Sequence, residues 1–181
     1  MASPSWSART EDLTLAFEAT FGALTPEQLN WKPNPDTWSI GQVIHHLIVI
    51  NSTYFPVLDA LRAGTYRTPW HGRMGFLTRF FGNFVLSSVQ PDRKMRIKTF
   101  PIWEPATSDI PGDILRQFRS HQQDLGASMD AASDLVSGGA VISSPANAVI
   151  VYTLGTAFEI ILTHEARHLA QAEELKTLIP H

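Results

Sequence analysis

Apolar residues return at helical intervals in several long stretches of this chain, and the polar residues between them mark where each stretch begins and ends. The first stretch runs from about Ser7 to Leu24. Leu13, Phe17, Phe21 and Leu24 form its apolar stripe, and Glu11, Asp12 and Glu18 take the polar side or the favourable first turn. Thr25-Pro26-Glu27-Gln28 reads as a short capped turn with proline at the first helical position. An ordered loop follows in Asn30-Trp31-Lys32-Pro33-Asn34-Pro35-Asp36, which carries two prolines and two asparagines.

The second stretch has the clearest start. Ser39 and Gln42 stand at the two positions of a capping box, and Trp38 and Val43 at the staple positions around it. Ile40, Val43, Ile44, Leu47, Tyr54, Phe55 and Leu58 then share one face. Pro56 predicts a kink or an early end, because its ring clashes with the carbonyl of Ser52. Gly64 is the expected stop.

A long connection follows, with a short amphipathic helix expected around Leu77, Phe80, Phe81 and Phe84. A third helix is predicted over about Pro111 to Ala132, with Ile114, Phe118, Leu125 and Met129 inward. Gly138-Gly139 and Ser143-Ser144-Pro145 mark a further loop, and Val149, Ile150 and Val151 are compatible either with extended chain or with the lead-in to the last helix. From about Thr153 to Leu178, one long helix presents Leu154, Ala157, Phe158, Ile161, Leu162, Leu169, Ala172 and Leu175 to the interior. Four amphipathic helices without a persuasive strand pair predict an all-α fold, a four-helix bundle with a long crossover between helices 2 and 3.

Length and composition add limits. At 181 residues and 44% hydrophobic content, one domain over residues 1–181 is expected. The chain has no cysteine, which excludes disulfides, thiolate ligands and a cysteine nucleophile. A net charge of −3 gives no basic field for nucleic acid. The N-terminus lacks the pattern of a signal peptide, and the most apolar stretch, Ala148 to Leu162, is interrupted by Thr153, Thr156 and Glu159 and too short to span a bilayer. A cytoplasmic protein with no nucleic-acid and no membrane partner is the expectation. One local imbalance stands out: from Arg62 to Lys98 eight basic residues face one acid, Asp92. A solvated surface explains it, and so does a rim attracting an anionic substrate or thiol cofactor.

The candidate chemistry lies in Thr163-His164-Glu165-Ala166-Arg167-His168-Leu169-Ala170-Gln171. A helix sets His164 and His168 on one face, one turn apart, in line with Ala157, Ile161 and Ala172. Two desolvated imidazoles need partners, and a metal ion satisfies both. A third ligand would come from another helix, with His45, His46, His71 and His121 as candidates. Periodicity puts both His45 and His46 on the flanks of the second helix's apolar face, with His46 slightly nearer, and leaves the choice open. His121 is a weaker candidate, and His71 is expected on a loop surface.

The same string spells H-E-x-x-H, the zinc-protease signature. The surroundings oppose that reading: 13 residues follow His168, Gln171 stands where one variant needs a turning glycine, and no peptide-binding sheet is evident. Glu165, 100° around the helix from His164, is then expected to support the site or to face solvent. Arg167 could stabilise an anion beside a metal or pair with an acid such as Glu159. Glu165 and Arg167 are the candidate catalytic residues.

Two blocks together resemble the DinB/YfiT-like family of metal-binding four-helix bundles. One is Asn30-Trp31-Lys32-Pro33 through Trp38-Ser39-Ile40-Gly41-Gln42-Val43-Ile44-His45-His46-Leu47, and the other Tyr152-Thr153-Leu154-Gly155 through His164-Glu165-Ala166-Arg167-His168-Leu169-Ala170-Gln171. Their order and separation extend the similarity over nearly the whole chain, the middle third excepted. The resemblance implies an up-down-down-up bundle, a metal triad of His46, His164 and His168, zinc or nickel as the ion, and a homodimer. It further implies a small-molecule substrate and a thiol transferase or hydrolase, with a low-molecular-weight thiol as a possible co-substrate. A non-catalytic metal-binding or structural bundle is the alternative, and a shell closed by a further side chain such as His121 would favour it.

Overall fold

The computed structural model describes residues 5–91, 105 and 109–180. It is mostly helical. Helix α1 (Trp6–Phe21) is followed by the short α2 (Pro26–Asn30), whose N-cap Thr25 forms a capping box with Gln28. Helix α3 (Ile40–Ser52) begins at the expected box: Gln42 N donates to Ser39 Oγ at 3.1 Å, and Ser39 N donates to Gln42 Oε1 at 3.0 Å. The chain breaks at Thr53 and Tyr54 and resumes as α4 (Phe55–Arg62), with Pro56 in the first turn, where a missing N–H costs nothing. Gly64, at φ +66°, turns the chain away through the left-handed region that a side chain disfavours.

A 3₁₀ turn at Trp70–Arg73 leads into α5 (Gly75–Ser88), the amphipathic helix expected in the crossover. Asp92, Arg93, Lys94, Arg96 and Lys98 of the basic stretch lie outside the described residues. Helix α6 (Ile114–Ala131) buries Ile114, Phe118, Leu125 and Met129 as predicted. A five-residue α7 (Ser133–Ser137) follows.

The expectation of no strand pair is corrected here. Strands β1 (Val141–Ser144) and β2 (Asn147–Thr153) form an antiparallel hairpin, pairing Val141 with Thr153, Ile142 with Tyr152 and Ser143 with Val151. Val149, Ile150 and Val151 are therefore extended, as β-branched residues favour. The pair is short, and β1 offers only Val141 and Ile142 as apolar residues, so alternation had little to show. Ile142, Val151 and Tyr152 nonetheless reach the core.

Helix α8 (Leu154–Lys176) starts at Thr153, whose Oγ1 accepts from Thr156 N at 3.2 Å. Its predicted inward residues are buried, with Leu169 partly so. The long helices α1, α3, α6 and α8 pack on one another, α1 chiefly against α6 and α3 against both α6 and α8. Their side chains form two apolar clusters, one around Phe17, Phe21, Ile44 and Phe118, the other around Leu125, Met129, Tyr152 and Phe158. The buried face of α1 carries Thr10 and Thr14 as well as Phe17 and Phe21, while Leu13 is only half-buried. Thr14 Oγ1 donates to the Thr10 carbonyl at 2.8 Å, which satisfies the buried hydroxyl within its own helix.

Candidate metal centre

Helices α3 and α8 bring three imidazoles together. His46, between Val43 and Ile50 on the inward side of α3, is 1% exposed. His164 and His168 meet it from successive turns of α8, with ring centres 5.4 Å and 5.0 Å from His46 and 4.4 Å from each other. One nitrogen from each of the three rings lies within 4.8 Å of the others. Nε2 of His164 and Nε2 of His168 are 3.0 Å apart. Two nitrogens bound to one tetrahedral ion at ~2.0–2.1 Å stand ~3.3 Å apart, so the pair is already close to that spacing.

The surroundings keep the two α8 rings neutral. Burial holds His168 down to about 3; the neighbouring His46 and the Arg167 guanidinium act in the same direction, and a hydrogen bond with Gln171 opposes them. Burial likewise pushes His164 well below its ordinary value, with His168, His46 and Arg167 adding to it. A neutral imidazole offers a lone pair, so the α8 pair presents two uncharged nitrogen donors beside His46. That donor set fits a divalent cation of the zinc or nickel kind.

Trp38 walls the group. Its ring is 4.9 Å from that of His46 and 6.5 Å from that of His168, nearly parallel to the latter at 19°. The residue expected only to staple the start of α3 thus also lies beside two candidate ligands.

The other candidate histidines go elsewhere. His45 is half-buried beside the group but not in it, and its Nδ1 is buried without a partner. His121 stands edge-on to Phe55 at 5.6 Å, and burial lowers it to about 4, with Asp124 opposing. Among the described residues, it does not close the triad's shell. His71 is not on a loop surface as expected: it is half-buried in the 3₁₀ turn, where its backbone is held and its Nε2 is shielded.

Glu165 faces away from the triad and is fully buried. Its carboxylate accepts from Asn51 Nδ2 of α3 at 2.6 Å and from Gln122 Nε2 of α6 at 2.8 Å. Burial pushes it up to about 7, opposed by the Gln122 and Asn51 hydrogen bonds. Of the two positions expected for Glu165, solvent is thereby excluded. Asn51 and Gln122 were not singled out from sequence, although a signal existed. Gln122 interrupts the apolar row Phe118, Leu125, Met129, and Asn51 the row Leu47, Tyr54, Leu58. A polar residue on a core-facing row needs a buried partner.

Arg167 is 8% exposed and donates to the Ser88 carbonyl at 2.6 Å, at the C-terminal end of α5, where a cation suits the helix dipole. The alternative pairing with Glu159 is corrected, because Glu159 is held by Arg9 at 2.6 Å and 2.7 Å.

A family profile described as the DinB superfamily matches residues 9–172, which include all three histidines. The chain belongs to the DinB superfamily. No curated protein and no solved structure matches this DinB chain. Among its described residues, no helix is long and apolar enough to cross a membrane.

Proposed function

We propose that this DinB-superfamily protein is a metal-dependent enzyme in which His46, His164 and His168 hold one divalent cation, zinc or nickel. The observation that carries it is the convergence of one nitrogen from each ring within 4.8 Å. In this reading α1, α3, α6 and α8 form the up-down-down-up bundle of the family, and the protein is an intracellular homodimer acting on a small molecule. A cation with three nitrogen ligands supplies Lewis acidity and lowers the pKa of a water or thiol in its remaining position. Transfer of a thiol to an electrophile and hydrolysis are the two reaction classes this chemistry serves.

The chain's own residues have separate tasks. Trp38 limits the motion of His46 and His168 and excludes water from one side. Glu165 ties α8 to α3 and α6, holding the register in which His164 and His168 face His46. Arg167 anchors the end of α5 against α8 one residue before His168.

The test is metal analysis of the purified protein and of His46→Ala and His168→Ala, followed by a panel of low-molecular-weight thiols with and without electrophiles. Bound metal near one equivalent in the wild type and loss in both variants is the expected result. Unchanged metal content in both variants would refute the site. A second reading rests on the same contact: 3.0 Å is also the length of an N–H···N hydrogen bond, so the His164–His168 pair can serve as a structural contact without metal. Metal-free wild-type protein that keeps its stability in chelator would favour it.

A further inference from the structure

Helix α5 has a small-residue face seated on the body of the protein and an aromatic face that, among the described residues, stays exposed. Thr78 and Gly82 are buried, and Gly82 sits so close to α8 and β2 that an added Cβ would meet Thr156 Cγ2 at 3.0 Å and Tyr152 Cβ at 3.5 Å. This small-residue seam seats the helix on the body of the protein. Phe76, Phe80 and Phe84 recur every four residues on the opposite side, about 180° from that seam at 100° per residue. They are 69%, 62% and 58% exposed. Trp70, on the turn that leads into α5, is 73% exposed.

The charge around this ridge has one sign. Residues 60–91 contain no aspartate or glutamate, in a chain whose net charge is −3. Arg67, Arg73 and Arg79 are exposed, and no acid among the described residues pairs with them. A second copy laid on this face by two-fold symmetry would set arginines against arginines with no acid from the segment to separate them. An anionic surface that also accepts aromatic side chains suits both features at once. Aromatics on one side with arginines at the flanks is the composition of a helix lying in a lipid interface.

We propose that α5 docks this protein on an anionic bilayer surface, with Phe76, Phe80 and Phe84 entering the interface and Arg67, Arg73 and Arg79 meeting lipid phosphates. The expectation of no membrane partner was drawn from the absence of a spanning segment, and it does not extend to a helix lying flat on the surface.

Co-sedimentation of the full-length protein with vesicles tests this, using phosphatidylcholine alone and phosphatidylcholine mixed with phosphatidylglycerol. Binding to the mixed vesicles, weak binding to the neutral ones, and loss of binding at high salt are expected. Phe76→Ser with Phe80→Ser should lower partitioning on the order of tenfold or more, and Arg73→Gln with Arg79→Gln should weaken it and flatten the salt dependence. Phe84→Ser alone serves if the double variant loses its helical circular dichroism. Quenching of tryptophan emission by brominated lipid, absent in Trp70→Phe, would place the turn at the interface. Failure to sediment with the anionic vesicles, or undiminished binding by the phenylalanine variants, would overturn the proposal. So would an ultracentrifuge result in which those substitutions turn a dimer into a monomer while vesicles capture neither form, since the occupant would then be a second copy.

Discussion

Replacing Asn51 with leucine tests whether the buried carboxylate of Glu165 joins α3 and α6 to the helix that carries two of the histidines. Leucine keeps the branching of asparagine at Cγ, with two bulkier methyl groups in place of the amide atoms, so no cavity forms and the main loss is one of the two donors to a fully buried carboxylate. A hydrogen bond to a charged group contributes about 1.5–3 kcal/mol. In a protein of this size each kcal/mol moves the thermal midpoint by about 2–4 °C, so a fall of about 3–12 °C is expected. The measurement belongs at about pH 8, above the value of about 7 to which burial raises Glu165, where the carboxylate is the dominant form. Glu165→Gln is the informative partner. It removes the buried charge and can still meet both amides: its carbonyl accepts from Asn51 Nδ2, and its N–H donates to Gln122 Oε1 once the Gln122 amide turns over. Its own cost should stay below about 1 kcal/mol, and in its background Asn51→Leu should cost only about 0.5–1.5 kcal/mol. Scanning calorimetry on the wild type, both single variants and the double variant completes the cycle. An unchanged midpoint for Asn51→Leu, or the same loss in both backgrounds, would show that the carboxylate does not tie the helices.

Three further outcomes follow from other parts of the molecule. His121 is held at about 4 against an ordinary 6.5, so the native state takes up its proton later than the unfolded chain on acidification; stability is intact above about pH 6.5 and falls as the pH drops towards 4, by on the order of 2–3 kcal/mol, a loss that urea titrations should find reduced in His121→Leu. Gly126→Ala should destabilise by about 1–2 kcal/mol despite alanine's helix propensity, because its Cβ would stand 2.5 Å from Thr10 Oγ1 and 2.9 Å from Ser7 Cα and force α1 off α6. Added zinc or nickel should raise the thermal midpoint of the wild type and leave that of His168→Ala unchanged, since an ion stabilises only the state that holds its ligands together.

The helices and their caps were legible because their signals are local. The Ser39–Gln42 box, the interruption at Pro56 and the turn at Gly64 each depend on a few neighbouring residues, and each stands where expected. The pairing of His164 with His168 belongs to the same class, since one helix sets the geometry of residues four apart. The choice between His45 and His46 does not. Adjacent residues differ by 100° around a helix, and both lay on the flanks of the apolar stripe, so the rotation of α3 against α8 had to decide. That rotation comes from packing with residues more than a hundred positions away, which no local pattern contains. For the same reason Glu165 could be placed off the triad face but not assigned to Asn51 and Gln122, and Trp38 could be read as a staple but not as a wall. The hairpin of β1 and β2 escaped because four residues with two apolar side chains carry too little alternation. Periodicity says which side of a helix is apolar; what that side meets depends on how the helices turn to fill the space between them.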